Sequence, residues 1–227
     1  MREQFHQQMN QLAETLVVEA KAAAKAMRGA AEALRDANLT KAEKVIDADR
    51  KIDLLERTVD EMGVSLLARQ APVASDLRTV VSALRLSATL ERMGDLARHV
   101  AYIARGRYPD MAVPGEVHEL LVKMAEHAAA VGQNVAVLVE TRDLSLAAQI
   151  VAEDDVLDDL HAQSFQIVLD DSKELTRQEI VDIVLLGRYL ERYGDHAVSV
   201  ARRMNFLVKG LGNDGNDPFA EVDLTEV

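Results

Sequence analysis

Leu90-Glu91-Arg92-Met93-Gly94-Asp95-Leu96-Ala97 and Leu190-Glu191-Arg192-Tyr193-Gly194-Asp195-His196-Ala197 are one phrase written twice, one hundred residues apart. Six of the eight positions are identical, so the chain is read as two copies of one unit. Around the first copy, Leu77, Val80, Val81, Leu84, Leu86, Leu90, Met93, Leu96, Val100 and Ile103 recur mainly at steps of three and four. That is the period of an amphipathic helix, and it is sustained over more than seven turns. No convincing alternating strand bounded by turns competes with it.

Working outward, helix breakers and caps divide the chain into six long segments. The first runs from about Arg2 to Ala37, and the second starts at a cap on Asn38 or Thr40 and reaches about Gln70. Pro72 separates it from the third, which spans about Ser75 to Gly106. A fourth is expected from about Glu116 to Thr141 and a fifth from about Leu144 to Ser172. Thr176-Arg177-Gln178-Glu179 forms a capping-box signature for the sixth, which continues to about Lys209. A second echo joins the halves: Asp49-Arg50-Lys51-Ile52-Asp53 answers to Asp154-Asp155-Val156-Leu157-Asp158, displaced by 105. The pattern is helix-helix-helix twice, an all-α protein with units at residues 1–108 and 115–210 and an acidic tail at 211–227.

Composition narrows the function classes. The 227 residues carry 26 Lys+Arg against 38 Asp+Glu, a formal charge of −12, with few aromatics. An acidic chain lacks the basic footprint of general nucleic-acid binding. No cysteine is present, which excludes disulfide scaffolds, Cys-ligated metals and thiol catalysis. The polar start Met1-Arg2-Glu3-Gln4 is unlike a secretory signal, and no apolar run is long enough to span a bilayer. The expectation is a cytoplasmic helical protein that meets a membrane only through its partners. Phosphate-binding loops, nucleophile elbows and His-Glu-x-x-His are all missing.

Four pairs of acids stand four residues apart: Asp49/Asp53, Glu91/Asp95, Asp154/Asp158 and Glu191/Asp195. On a helix such residues share a face, where like charges repel. With 38 acids in the chain, chance alone supplies about six such pairs, so one pair means little. Here each half contributes one pair from each of two helices, at equivalent places. Gly94 and Gly194, each mid-helix, cost about 1 kcal/mol relative to Ala and suggest close approach by another backbone or a bulky inorganic group. Facing pairs would gather four carboxylates per half, a donor set for iron, manganese, magnesium or zinc. His99, four residues beyond Asp95, is expected to complete the first set, while its counterpart Ser199 is a poor ligand. Arg92 and Arg192 are the internal cations that could neutralise the acids instead.

The duplicated Leu-Glu-Arg-x-Gly-Asp, the stretch Arg69-Gln70-Ala71-Pro72-Val73-Ala74-Ser75-Asp76-Leu77-Arg78 and the upstream Asp-x-x-x-Asp pairs resemble the PhoU family over residues 2–209. The resemblance implies two tandem antiparallel three-helix bundles, self-association as a homodimer, and a regulator rather than an enzyme. It implies a negative regulator of phosphate uptake that mediates between the ATPase subunit of a phosphate ABC transporter and a sensor histidine kinase. It also implies metal clusters on the Glu/Asp-x-x-x-Asp motifs, here Glu91/Asp95 and Glu191/Asp195 with the Asp pairs beside them. Two other readings compete. A helical adaptor or chaperone would carry the acids incidentally, and a di-metal oxygen-activating enzyme would need two mid-helix Glu-x-x-His motifs that this chain does not supply.

Overall fold

A computed structural model of the chain describes residues 2–210. The expected acidic tail at 211–227 lies outside the described residues. Every regular element within them is a helix: α1 (Arg2–Arg35), α2 (Leu39–Gln70), α3 (Ala74–Arg107), α4 (Gly115–Thr141), α5 (Leu144–Ala152), α6 (Asp154–Val168) and α7 (Arg177–Lys209). Among the described residues, no helix is long and apolar enough to cross a membrane.

The turns follow from local chemistry. Asn38 caps α2 by accepting the Lys41 N–H at 3.0 Å. Ala71 closes α2 in the left-handed region (φ 42), and Pro72 follows where a helix cannot continue. At α7 the Thr176 hydroxyl accepts the Glu179 N–H while the Glu179 carboxylate accepts the Thr176 N–H, the reciprocal cap read from the sequence.

One boundary differs from expectation. The fifth segment is not a single helix to Ser172 but two, interrupted at Glu153 and ended at Val168. Glu153-Asp154-Asp155 explains the break. Acids are unfavourable at the carbonyl-rich end of α5 and favourable among the free N–H groups that open α6. Downstream, the Asp170 carboxylate accepts the Ser172 N–H at 2.9 Å, a local turn that competes with further helix.

Helices α1, α2 and α3 pack mutually as one three-rod bundle, and α4, the α5–α6 pair and α7 form the second. The bundles share a core, because α1 also lies along α4 and α3 along α7. Shifting by 105 lays the buried face of α1 on that of α4: Leu12 on Val117, Leu16 on Leu121, Ala20 on Ala125 and Ala30 on Val135. The same shift places buried Glu19 where the second repeat has buried Met124. The linker between repeats is anchored by Ala112 and Val113, both buried. Arg107 at the end of α3 pairs with buried Asp182 of α7, Nε to Oδ2 at 2.5 Å and Nη2 to Oδ1 at 3.0 Å, tying one repeat to the other.

Candidate metal centres

In the first repeat, α2 brings Asp49 and Asp53 against Glu91 and Asp95 of α3. Asp49 is buried, and burial raises its pKa, with repulsion from Asp53 and Asp95 adding and Arg98 opposing. Burial likewise raises Glu91, assisted by Asp95, Asp53 and Glu56 and opposed by Arg92. Two arginines answer this charge. Arg98 donates to Asp49 through Nη1 and pairs with Asp95 Oδ1 through Nη2 at 2.6 Å. Arg92 lies 3.4 Å from Asp95 and 3.5 Å from Glu91. A guanidinium therefore stands between the two ladders, where a metal was expected.

His99 takes another direction. Its ring packs at a tilt of 52° against Tyr189 of α7, with centroids 5.0 Å apart, so it meets the other repeat. Only its spacing from Asp95 is readable in the sequence. The α3–α7 contact that claims the ring is tertiary.

In the second repeat, α6 presents Asp154 and Asp158 to Glu191 and Asp195 of α7. Burial raises Asp154, reinforced by Asp158, Asp195 and Asp155 and opposed by Arg202. Burial also raises Glu191, reinforced by Asp195 and Asp158, while Arg188 opposes. Arg188 donates to both Glu191 oxygens at 2.7 Å. The position equivalent to Arg98 is Val198, which is buried. Among the described residues, no salt bridge reaches Asp154, Asp158 or Asp195. Nearby on α6, the His161 Nε2 is buried without a hydrogen-bond partner, and burial lowers its pKa.

Side chains in both repeats stand apart: among the described residues, no three Asp, Glu or His groups converge at ligating distance. The ladders face each other but are not drawn together. The donor chemistry fits a hard cation better in the second repeat, where no arginine bridges the ladders. In the first, Arg98 satisfies Asp49 and Asp95 itself.

The glycines correct one expectation. A Cβ on Gly94 would meet Ile52 Cδ1 at 2.8 Å, and one on Gly194 would meet Leu157 Cδ1 at 2.8 Å. Each glycine admits an apolar side chain of the neighbouring helix rather than another backbone.

Sequence reasoning also missed Glu19. It is fully buried on α1, accepts the Ser87 hydroxyl at 2.6 Å, and leaves Oε1 unpartnered. Burial pushes its pKa up to about 8, against the pull of the Ser87 hydrogen bond and with Glu56 and Glu91 adding. Its place opposite Met124 in the repeat alignment was the available signal.

Comparison with known proteins fits this architecture. The PhoU domain family model matches residues 17–104 and 121–204, one match in each bundle. The phosphate-specific transport system accessory protein PhoU homolog 2 of Mycobacterium bovis is 43% identical over 210 residues, 92% of this chain and 99% of that protein. PhoU homolog 1 of Mycobacterium leprae is 41% identical over 92% of this chain and 95% of its own length. The crystal structure of PhoU from Pseudomonas aeruginosa superposes with a TM-score of 0.79 at 27% identity, covering 91% of this chain and 99% of that one. Duplicated bundle, duplicated motif and duplicated match agree: the chain belongs to the PhoU family.

Proposed function

We propose that this protein is an accessory and regulatory component of a phosphate-specific transport system. In this reading it is a cytoplasmic negative regulator of phosphate uptake and of the phosphate-starvation response. The supporting observation is the family match in both repeats, together with a 43% identical relative named as such an accessory protein. The chain works by binding: its bundle docks on the transporter's ATPase subunit and on a sensor histidine kinase, as a monomer or homodimer. Transporter state alters which partner it prefers, so phosphate status becomes a difference in affinity. No step asks this chain for covalent catalysis.

Metal belongs to the same proposal. Asp154, Asp158, Glu191 and Asp195 are the residues to hold a divalent or trivalent cation such as iron, zinc, manganese or magnesium. The supporting fact is that Asp154 and Glu191, both half-buried, are raised by burial and by repulsion from the exposed Asp158 and Asp195, with no salt bridge from an arginine joining the two ladders among the described residues. A bound cation would supply positive charge that offsets this repulsion and pins α6 to α7. Asp49, Asp53, Glu91 and Asp95 form the weaker set, because Arg98 already neutralises two of them.

Deleting the gene tests the regulatory reading. Phosphate-starvation transcripts are expected to rise in phosphate-replete cells, and unchanged transcripts would remove the assignment. Co-purification with the transporter's ATPase subunit should accompany it.

A further inference from the structure

Five of the chain's eight lysines line a single groove. Lys21 and Lys25 stand on its α1 wall with Arg28; Lys41, Lys44 and Lys51 stand on its α2 wall. Between the walls is an apolar floor that includes Val18, Ala22, Ala26, Val45 and Ile52, and the groove encloses about 570 Å³. Lys21 is engaged by Glu140, and Lys41 by Glu32 and Asp36. Among the described residues, Lys25, Arg28, Lys44 and Lys51 take part in no salt bridge, and all four are exposed. In a chain of net charge −12, this concentration of unpaired cations over an apolar floor is a local inversion.

We infer that this groove is the docking site for the chain's own C-terminal segment, residues 211–227. The segment holds Asp214, Asp217, Glu221, Asp223 and Glu226 and not one Lys or Arg. Phe219, Val222, Leu224 and Val227 are interleaved with those acids. Acids for the walls and apolar side chains for the floor are thus supplied together, and charge pairing of this kind fixes partner and register.

Reach is sufficient. Leu207, near the end of α7, shares a hollow with Leu12, Leu16 and Val18 of α1. Val18, 45% exposed, lines both that hollow and the basic groove, so the two surfaces are continuous. From Val18 to Glu32 the groove follows α1 for about 21 Å, at 1.5 Å per residue. Seventeen residues extend to at most about 58 Å. The segment therefore reaches the groove without disturbing α7, and any anionic partner for this face must first displace it.

Carbodiimide coupling of the intact protein tests the inference, because it joins carboxylates to amines only in direct contact. Mass mapping should find the acids of 214–226 linked to Lys25, Lys44 or Lys51. The yield should fall at least fivefold in high salt, and equally in a Lys25→Glu/Lys44→Glu chain whose helical circular dichroism is unchanged. Links confined to Lys123, Lys173 or Lys209, or none, would overturn it. An equimolar mixture of isotopically heavy and light chains decides the source. Hybrid links in place of same-chain links would give the groove to a second copy and overturn the intramolecular assignment. Either result leaves the phosphate reading untouched.

Discussion

Arg98 and Val198 occupy equivalent places, and the difference between them divides the two acidic ladders. A guanidinium between Asp49 and Asp95 does the electrostatic work of a cation without one being bound. Arg98→Val is therefore expected to raise the metal retained by tag-free protein, and Val198→Arg to lower it, as measured by elemental analysis. The reverse ordering would sink the assignment of the second repeat as the better site. Glu19 carries a separate prediction. Its carboxyl keeps a proton in the folded state up to about pH 8, whereas the unfolded chain releases it near the ordinary glutamate value of 4.5. Between those values the folded state holds the extra proton, so this group's contribution is full below the lower value and lost as pH rises through the upper one. Glu19→Met should thus stabilise little near pH 5 and more near pH 9, by about 1–3 kcal/mol for removing an incompletely paired buried carboxyl. Thermal melts across pH would read it, and a constant gain at all pH values would refute it.

At the scale of the helix, the sequence was most legible where one face alone determines the element. The ends of α2, α3, α4 and α7 lie within a residue or two of their expected positions because Asn38, Pro72, Pro114 and Thr176 act locally. The break at Glu153 was hidden because apolar periodicity runs on through Leu146, Ile150 and Leu157. The stop comes from three successive acids, a polar signal that periodicity does not weigh. The ladders were legible as ladders, since four-residue spacing is intrinsic to a helix. Their cation was not, because Arg98 and Asp49 are forty-nine positions apart and meet only through packing. Gly94 and Gly194 were rightly singled out as close approaches but assigned the wrong neighbour. Replacing either with Leu should cost about 1–3 kcal/mol in urea denaturation, because Ile52 or Leu157 must leave its place in a filled core.

Across the whole molecule, the two repeats behave as one packed body. Arg107 and Asp182 join α3 to α7 at one end, and Lys21–Glu140 and Arg35–Glu126 span α1 to α4. The Arg107–Asp182 pair matters most, since Asp182 is almost fully buried. Arg107→Ala should destabilise the protein by about 3 kcal/mol, leaving a buried charge without its partner. The exposed Lys21→Ala should change stability by less than about 1 kcal/mol. Chemical denaturation of the two variants compares them directly.

The shared core between α1 and α4, and between α3 and α7, bears on how such a gene can be cut. Severed within residues 109–114, each fragment would bare a long greasy flank that its sister normally hides. Expressed alone, the fragments should clump; expressed together, they should find each other and rebuild the parent as a nicked heterodimer.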